Sequence, residues 1–385
     1  MPSSTQSSPT LGVLAIFRDE AHIAAEWLHH LMLEGVSQFV LLDEGSSDNG
    51  RLIVEAYAAR VPVNLSIHAV TRASGDQVDQ YNRHLHWLHT EWTLVCDLDE
   101  FVFARAPFTT ISSFLASLLP SVRLIALPWK LFGTSGVIAQ PFSAIASFTR
   151  RYRSLDPKYE CNTKVEFKSL FRTRALKALP HLNGSLGIWH QHRAIEYRHT
   201  KVDFKSLFRT PALKALPNLN DALHWPESSG ARPVNFYHDL IKQVGPIQRS
   251  AMASWGLHIN HYQLESCELY ARVKMTRGSV TRSQRDRARD WNYFRRQESV
   301  LNRVPDEELR RKRGGDAWVE ELQRLGMPTA TWPTLARTPR HAAQLAMPMA
   351  EIARLCERAP VWRPDDHGLT GNVSAKAEEA CGAHF

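Results

Sequence analysis

Leu11-Gly-Val-Leu-Ala-Ile-Phe17 is followed by a helical pattern over Glu20–Glu34 and then by Gln38-Phe-Val-Leu-Leu-Asp43. The first run is apolar without alternation, which suits a strand covered on both faces by other layers. From Glu20 to Glu34, Ile23, Trp27, Leu28, Leu31 and Leu33 recur at mostly helical spacing, and Gly35 is placed to end the helix. Strand, helix and strand in this order form a βαβ unit with parallel strands.

The unit repeats downstream. Glu44-Gly-Ser-Ser-Asp-Asn-Gly50 carries turn and helix-capping residues ahead of a helix at Arg51–Arg60. Val63–Val70 reads as a third strand, Gln77–Thr90 as a helix and Trp92–Asp97 as a fourth strand. The expectation is an α/β fold: a Rossmann-like, mostly parallel sheet flanked by helices. Such sheets bind ligands at the carboxyl ends of their strands. Arg18-Asp-Glu20, Asp43-Glu44 and Asp97-Leu-Asp-Glu100 each follow a strand, so all three converge on that edge.

In Asp97-Leu98-Asp99, alternate residues of an extended segment face one side. Two carboxylates so placed suit a hard divalent cation, Mn²⁺ or Mg²⁺, which fills its other positions with phosphate oxygens and water. Roughly one such triplet is expected by chance in a chain this long. The flanking apolar runs Thr93–Cys96 and Phe101–Phe103 add weight, since acids set among apolar residues need a partner. His261, in Leu257-His-Ile-Asn-His-Tyr262, can complete a metal site beside acids, although a lone histidine is more often a core or surface residue. Glu20 and Asp43 can accept hydrogen bonds from a nucleotide or serve their turns. Phe132-Gly-Thr-Ser-Gly136 reads equally as the wall of an acceptor pocket and as an ordinary loop.

Composition narrows the class. Lys and Arg total 47 against 39 Asp and Glu, a net charge of +8 that favours anionic partners. The five cysteines form no CxxC pair, which argues against a disulfide framework or structural zinc and for a reducing compartment. The Ser-rich residues 1–10 read as disordered and lack the basic start of a secretory leader. No run approaches the ~20 apolar residues of a membrane span. Arg272–Arg313 reads as exposed basic helices, but no nucleic-acid recognition motif accompanies them, so no nucleic acid is expected as a partner. The C-terminal part reads as a helical extension, with helices near Trp318–Leu325 and Arg340–Arg358 and a loosely ordered tail. Thr163–Asn183 recurs 37 residues later as Thr200–Asn220 with three differences, a local duplication.

The pattern resembles the family 92 glycosyltransferases and their family-2-like bacterial relatives. The pieces that carry the resemblance, in order, are Phe17-Arg-Asp-Glu20, Glu26-Trp27, Gly35-Val36, Asp43-Glu-Gly-Ser-Ser-Asp48, Gln77-Val-Asp-Gln-Tyr-Asn82, Asp97-Leu-Asp-Glu100, Phe132–Gly136, Lys168-Ser-Leu-Phe-Arg172, Ile259-Asn-His-Tyr262 and Lys274–Gly278. The resemblance implies a GT-A domain over residues 11–290, with residues 291–385 as a basic helical extension and tail. It implies transfer of a sugar from a nucleotide-sugar donor, a UDP-sugar, to a glycan or lipid-linked acceptor. Asp97, Asp99 and His261 match metal-binding positions. Arg18, Glu20, Asp43, Gln77, Asp97 and Lys274 fall at donor-contacting ones. Asp156, Glu160 and Glu166 follow the Gly-rich turn and are the candidates for a catalytic base. The Lys-Ser-Leu-Phe-Arg motif occurs twice, at Lys168–Arg172 and Lys205–Arg209, and either copy can fill the family position. The charge and the missing leader place the protein in the cytoplasm, in peripheral contact with a membrane. The rival classes are a basic nucleic-acid-binding protein and an inactive nucleotide-sugar binder of the same fold.

Overall fold

The computed structural model describes residues 9–74, 77–118, 124–152, 167–172, 195–197, 200–202, 256–277, 289–336 and 338–357. Its centre is an eight-stranded sheet. The strands are β1 (Leu11–Phe17), β2 (Val36–Asp43), β3 (Asn64–Ala69), β4 (Trp92–Val95), β5 (Glu100–Ala104), β6 (Leu124–Leu131), β8 (Phe167–Arg172) and β11 (Leu257–His261). Their order across the sheet is β3-β2-β1-β4-β8-β6-β11-β5. A short β7 (Arg150–Arg151) pairs with β12 (Val304–Pro305), and β9 (Ile195–Tyr197) with β10 (Thr200–Val202).

β1 to β4 run parallel, β8 runs against both β4 and β6, and β11 is parallel to β6 and antiparallel to β5. Six strands therefore share one direction, and only β5 and β8 oppose it. This is the mostly parallel, helix-flanked α/β arrangement expected. β1 and β2 are almost wholly buried, as unalternated apolar runs require. Helix α1 (Ala21–Leu33) packs on them through Ile23, Trp27, Leu28 and Leu31. Gly35 follows at φ +94°, where an added Cβ would press on Ser112 as well as adopt a strained backbone.

The helix expected over Gln77–Thr90 stops at His84, and Leu85–Trp87 tightens into a 3₁₀ turn. The helical structure expected near Arg340–Arg358 takes the form of two helices, Pro339–Leu345 and Met349–Glu357; Pro348 cannot continue the first. The first copy of the duplicated segment supplies β8. The matching stretch of the second copy, Lys205–Arg209, lies outside the described residues, as do Asp156, Glu160, Glu166 and the first eight residues.

Two expectations about the C-terminal part are corrected. The described helices of the basic stretch are not wholly exposed: Ala271, Val273, Lys274, Met275, Phe294, Leu301 and Leu309 are buried, while residues 278–288 lie outside the described residues. The cysteines do include a bonded pair. Cys267 and Cys356 form a disulfide with Cα atoms 6.1 Å apart, where Cys267, Tyr270, Met275 and Ile352 pack in one apolar cluster. Their separation of 89 residues matches no spacing motif, because folding rather than local sequence brings them together. The pairing withdraws the cysteine-based reason for a reducing compartment. Trp318 and Leu322, from the extension, belong to the same apolar cluster as the sheet. Among the described residues no helix is long and apolar enough to cross a membrane.

Candidate active site

The strand directions gather the chemistry-bearing residues. The carboxyl ends of β1, β2, β4, β6 and β11 lie on one edge, and the start of antiparallel β5 joins them. Arg18 follows β1, Asp43 ends β2 opposite Phe17, Asp97 follows β4, Phe132 follows β6 and His261 ends β11 opposite Glu100.

The Asp97–Glu100 turn is built before it binds anything. Glu100 accepts from the Asp97 N–H at 3.0 Å and donates its own N–H to the Asp97 carbonyl at 3.1 Å. Trp27 fastens the turn from below by donating to the Glu100 carbonyl. Leu98 is fully buried, while Asp97 and Asp99 keep partial exposure on the other side. Glu100 thus works as the turn's brace. Gln77 bridges two groups: its amide donates to the Tyr81 hydroxyl at 2.9 Å and reaches Asp97 Oδ1 at 3.5 Å.

Asp99 faces two basic groups. Lys274 Nζ is 2.9 Å from Oδ2, and His261 Nε2 is 3.5 Å from Oδ1. Burial alone would raise the Asp99 carboxyl, but the Lys274 ammonium and the His261 ring hold it well below the usual carboxylate range. The His261 ring rests edge-on against Trp129, and its Nδ1 is buried without a hydrogen-bond partner among the described residues. Packing therefore sets the ring and leaves Nε2 for Asp99.

Lys274 ends a π-helical stretch, Tyr270–Lys274, inside the continuous helix Cys267–Arg277. Such widened turns recur at functional sites. Its ammonium also meets Glu265 Oε1 at 3.0 Å, and Glu265 Oε2 meets His22 Nε2 at 2.8 Å. Burial would raise the Glu265 carboxyl, but His22 and Lys274 bring it down.

The other expected donor contacts serve their own turns in this structure. Arg18 pairs with Glu44 at 2.8 Å. Asp43 accepts from the Ser46 N–H at 2.8 Å. Glu20 is buried at the start of α1, where its carbonyl receives the first helical bonds. Asp19, which sequence reasoning passed over, adopts φ +54° and holds Ser47 through the Ser47 N–H at 2.7 Å and hydroxyl at 3.1 Å. A strap from the extension crosses this turn: Thr334 donates to the Ser47 carbonyl, and Asn49 exchanges hydrogen bonds with Thr329 and Thr331. The Gly-rich turn is fixed from behind, with Thr134 bonded twice to Glu298 and Ser135 N–H donating to Asn302.

Among the described residues, no three His, Cys, Asp or Glu side chains gather as a metal site. The three-ligand set of Asp97, Asp99 and His261 is therefore not assembled. Asp97 turns toward Gln77, whereas Asp99 and His261 face each other. Two ligands of one hard ion, each about 2.1 Å from it and at roughly a right angle, stand about 3 Å apart. The carboxylate–imidazole pair at 3.5 Å has a spacing compatible with two ligands of one such ion. His22 and Glu265 carry no sequence signal, being 243 residues apart and outside any motif.

The description Glycosyltransferase family 92 matches residues 14–206. No curated protein matches the sequence. Several solved structures are similar over part of the fold. The mannosyltransferase PcManGT from Pyrobaculum calidifontis, in complex with GDP-Man and Mn²⁺, is 20% identical, with 32% of this chain and 36% of that chain covered and a TM-score of 0.27. S. aureus TarS 1-349 in complex with UDP is 19% identical, covering 44% and 48%, with a TM-score of 0.28. The same protein in complex with UDP-GlcNAc is 16% identical, covering 55% and 61%, with a TM-score of 0.29. In each case the chain spans less than two thirds of the other protein's length.

Proposed function

This chain belongs to glycosyltransferase family 92, and from that premise we propose that it transfers a sugar from a UDP-sugar to a glycan or lipid-linked acceptor, with Mn²⁺ or Mg²⁺ held by Asp99 and His261. The observation that carries this reading is the approach of Asp99 and His261 at the carboxyl edge of the sheet, with Lys274 beside them. When bound, the divalent ion neutralises the diphosphate and stabilises it as the leaving group.

The chain's own residues do the positioning. Gln77 orients Asp97 toward the donor's ribose. The Arg18, Glu20 and Asp43 turns form the floor for the nucleoside. Lys274 adds positive charge where the diphosphate acquires negative charge during transfer. For an inverting transfer, a carboxylate of the 153–166 stretch, with Asp156, Glu160 and Glu166 as candidates, deprotonates the acceptor hydroxyl. A lipid-linked acceptor would be met at the cytoplasmic surface of a membrane through the basic C-terminal helices, which fractionation of the full chain tests.

The test is Mn²⁺-dependent release of UDP from a panel of UDP-sugars by the wild type and Asp99→Ala. The wild type releases UDP from at least one donor and the variant does not. Equal release by both would sink the assignment. UDP binding without turnover on any donor would favour the inactive binder.

A further inference from the structure

Lys274 has more acceptors than it can serve. An ammonium carries three N–H groups. Four oxygens surround Nζ: the Gln263 carbonyl at 2.8 Å, Asp99 Oδ2 at 2.9 Å, Glu265 Oε1 at 3.0 Å and the Tyr262 carbonyl at 3.1 Å. Any one can leave and the remaining three still satisfy the ammonium.

The four are not equally free to leave. The two carbonyls belong to the backbone that leads into the helix Cys267–Arg277. Glu265 is 1% exposed, is tied to His22, and sits at φ +55°, a strained backbone state for a residue with a side chain that the surrounding contacts must hold. Asp99 is 16% exposed, and its other oxygen faces His261 at 3.5 Å, the longest of its contacts to basic groups. Asp99 is the partner that can be surrendered.

The same contact sets the charge of the metal seat. While Lys274 holds Asp99, the only carboxylate of the two-ligand pair is neutralised, and a divalent ion arriving alone meets an ammonium on the far side of its one anionic ligand. A diphosphate brings its own negative charge and removes that obstacle.

We propose that Lys274 is an exchangeable counter-ion for Asp99 that makes cation binding conditional on the nucleotide diphosphate. Without donor the ammonium holds Asp99. With cation and diphosphate present together, Asp99 turns to the cation and Lys274 stays on Glu265 and the two carbonyls. Glu265, set by His22, is the positioning residue that takes over the ammonium. The inference rests on the glycosyltransferase reading of the same site.

The test titrates Mn²⁺ into the full chain with and without UDP, reading free Mn²⁺ by electron paramagnetic resonance. The wild type binds Mn²⁺ about tenfold or more tightly when UDP is present. Lys274→Met binds Mn²⁺ alone about tenfold more tightly than the wild type and gains less from UDP. Glu265→Gln leaves Asp99 as the only anionic partner of the ammonium, so its Mn²⁺ affinity with UDP falls about tenfold. A merely structural role would move both variants the same way. Wild-type affinity independent of UDP, or a shared direction in the two variants, overturns the proposal. If Lys274→Met melts below the assay temperature, the wild type and Glu265→Gln decide, and an unchanged Glu265→Gln overturns it. UDP binding to no form at any metal concentration overturns the glycosyltransferase reading itself, a separate outcome.

Discussion

The imidazole of His261 faces the carboxylate of Asp99 across 3.5 Å, although the two belong to chain segments 162 residues apart in sequence. β11 and β5 bring them together: His261 pairs with Glu100, and the Tyr262 N–H donates to the Asp99 carbonyl at 2.8 Å. Their spacing of 3.5 Å is compatible with two ligands of one ion. His261→Ala is expected to weaken Mn²⁺ binding in the presence of UDP by about 10–100-fold, read by calorimetry. Asp99→Ala is expected to lower the turnover number by roughly 100-fold or more. A larger metal-affinity loss in an unrelated surface histidine variant than in His261→Ala would refute the seat.

Gln77 touches Asp97 without being an acid or a base, so its effect is confined to orientation. Gln77→Ala is expected to raise KM for the donor about tenfold, the equivalent of one hydrogen bond to a charged group. The turnover number stays close to wild type. Steady-state kinetics over a donor titration separates the two parameters.

Asp306 gives the pH dependence of stability a definite sign. It is nearly buried between Lys130 at 3.0 Å and Arg151 at 2.5 Å. Burial would raise its carboxyl, but these two cations hold it well below the ordinary value. A depressed carboxyl stabilises the fold at pH values above its unfolded value, and the benefit is lost as pH falls through the folded value. Asp306→Asn is therefore expected to cost about 3 kcal/mol at neutral pH. The gap between variant and wild type narrows below about pH 4. Denaturant melts at a series of pH values read it directly.

Trp318 ties the C-terminal helices to the sheet domain. Its indole N–H donates to buried Glu26 at 2.7 Å, and its ring stacks on His29 with centroids 5.4 Å apart. Trp318→Ala is expected to cost about 3–5 kcal/mol of stability, and a chain truncated after Asp290 is expected to fail to fold cooperatively. A truncated chain with an unchanged melting transition would show that the extension is an independent appendage.

The first third of the fold was legible because its signals are local. The run Leu11–Phe17 gave β1 with its observed bounds, and the apolar spacing of Ile23, Trp27, Leu28 and Leu31 gave α1. Past Glu100 the decisive relations are long-range. Nothing near Leu257 reveals that it pairs antiparallel with Ala104, and nothing near Cys267 announces Cys356. The proposed metal seat was half legible. Asp99 and His261 stood out through motif and resemblance, but the turn of Asp97 toward Gln77 depends on how the helix Gln77–His84 packs. The link from His22 through Glu265 to Lys274 depends on a left-handed backbone at a residue with no glycine-like signal.

The strap at Thr329–Thr334 has a consequence for how the protein is made. The turn it fastens, Ser47–Asn49, leaves the ribosome before its clasp, which follows roughly 280 residues later. Synthesis runs from the N-terminus, and domains form in that order. The turn thus waits through roughly 280 residues of synthesis without its final hydrogen bonds. A nascent chain can form β1 and β2 early, yet it fastens this turn only when the extension emerges. Ribosomes stalled short of Thr334 would carry chains with a folded N-terminal layer and an unfastened Ser47–Asn49 turn.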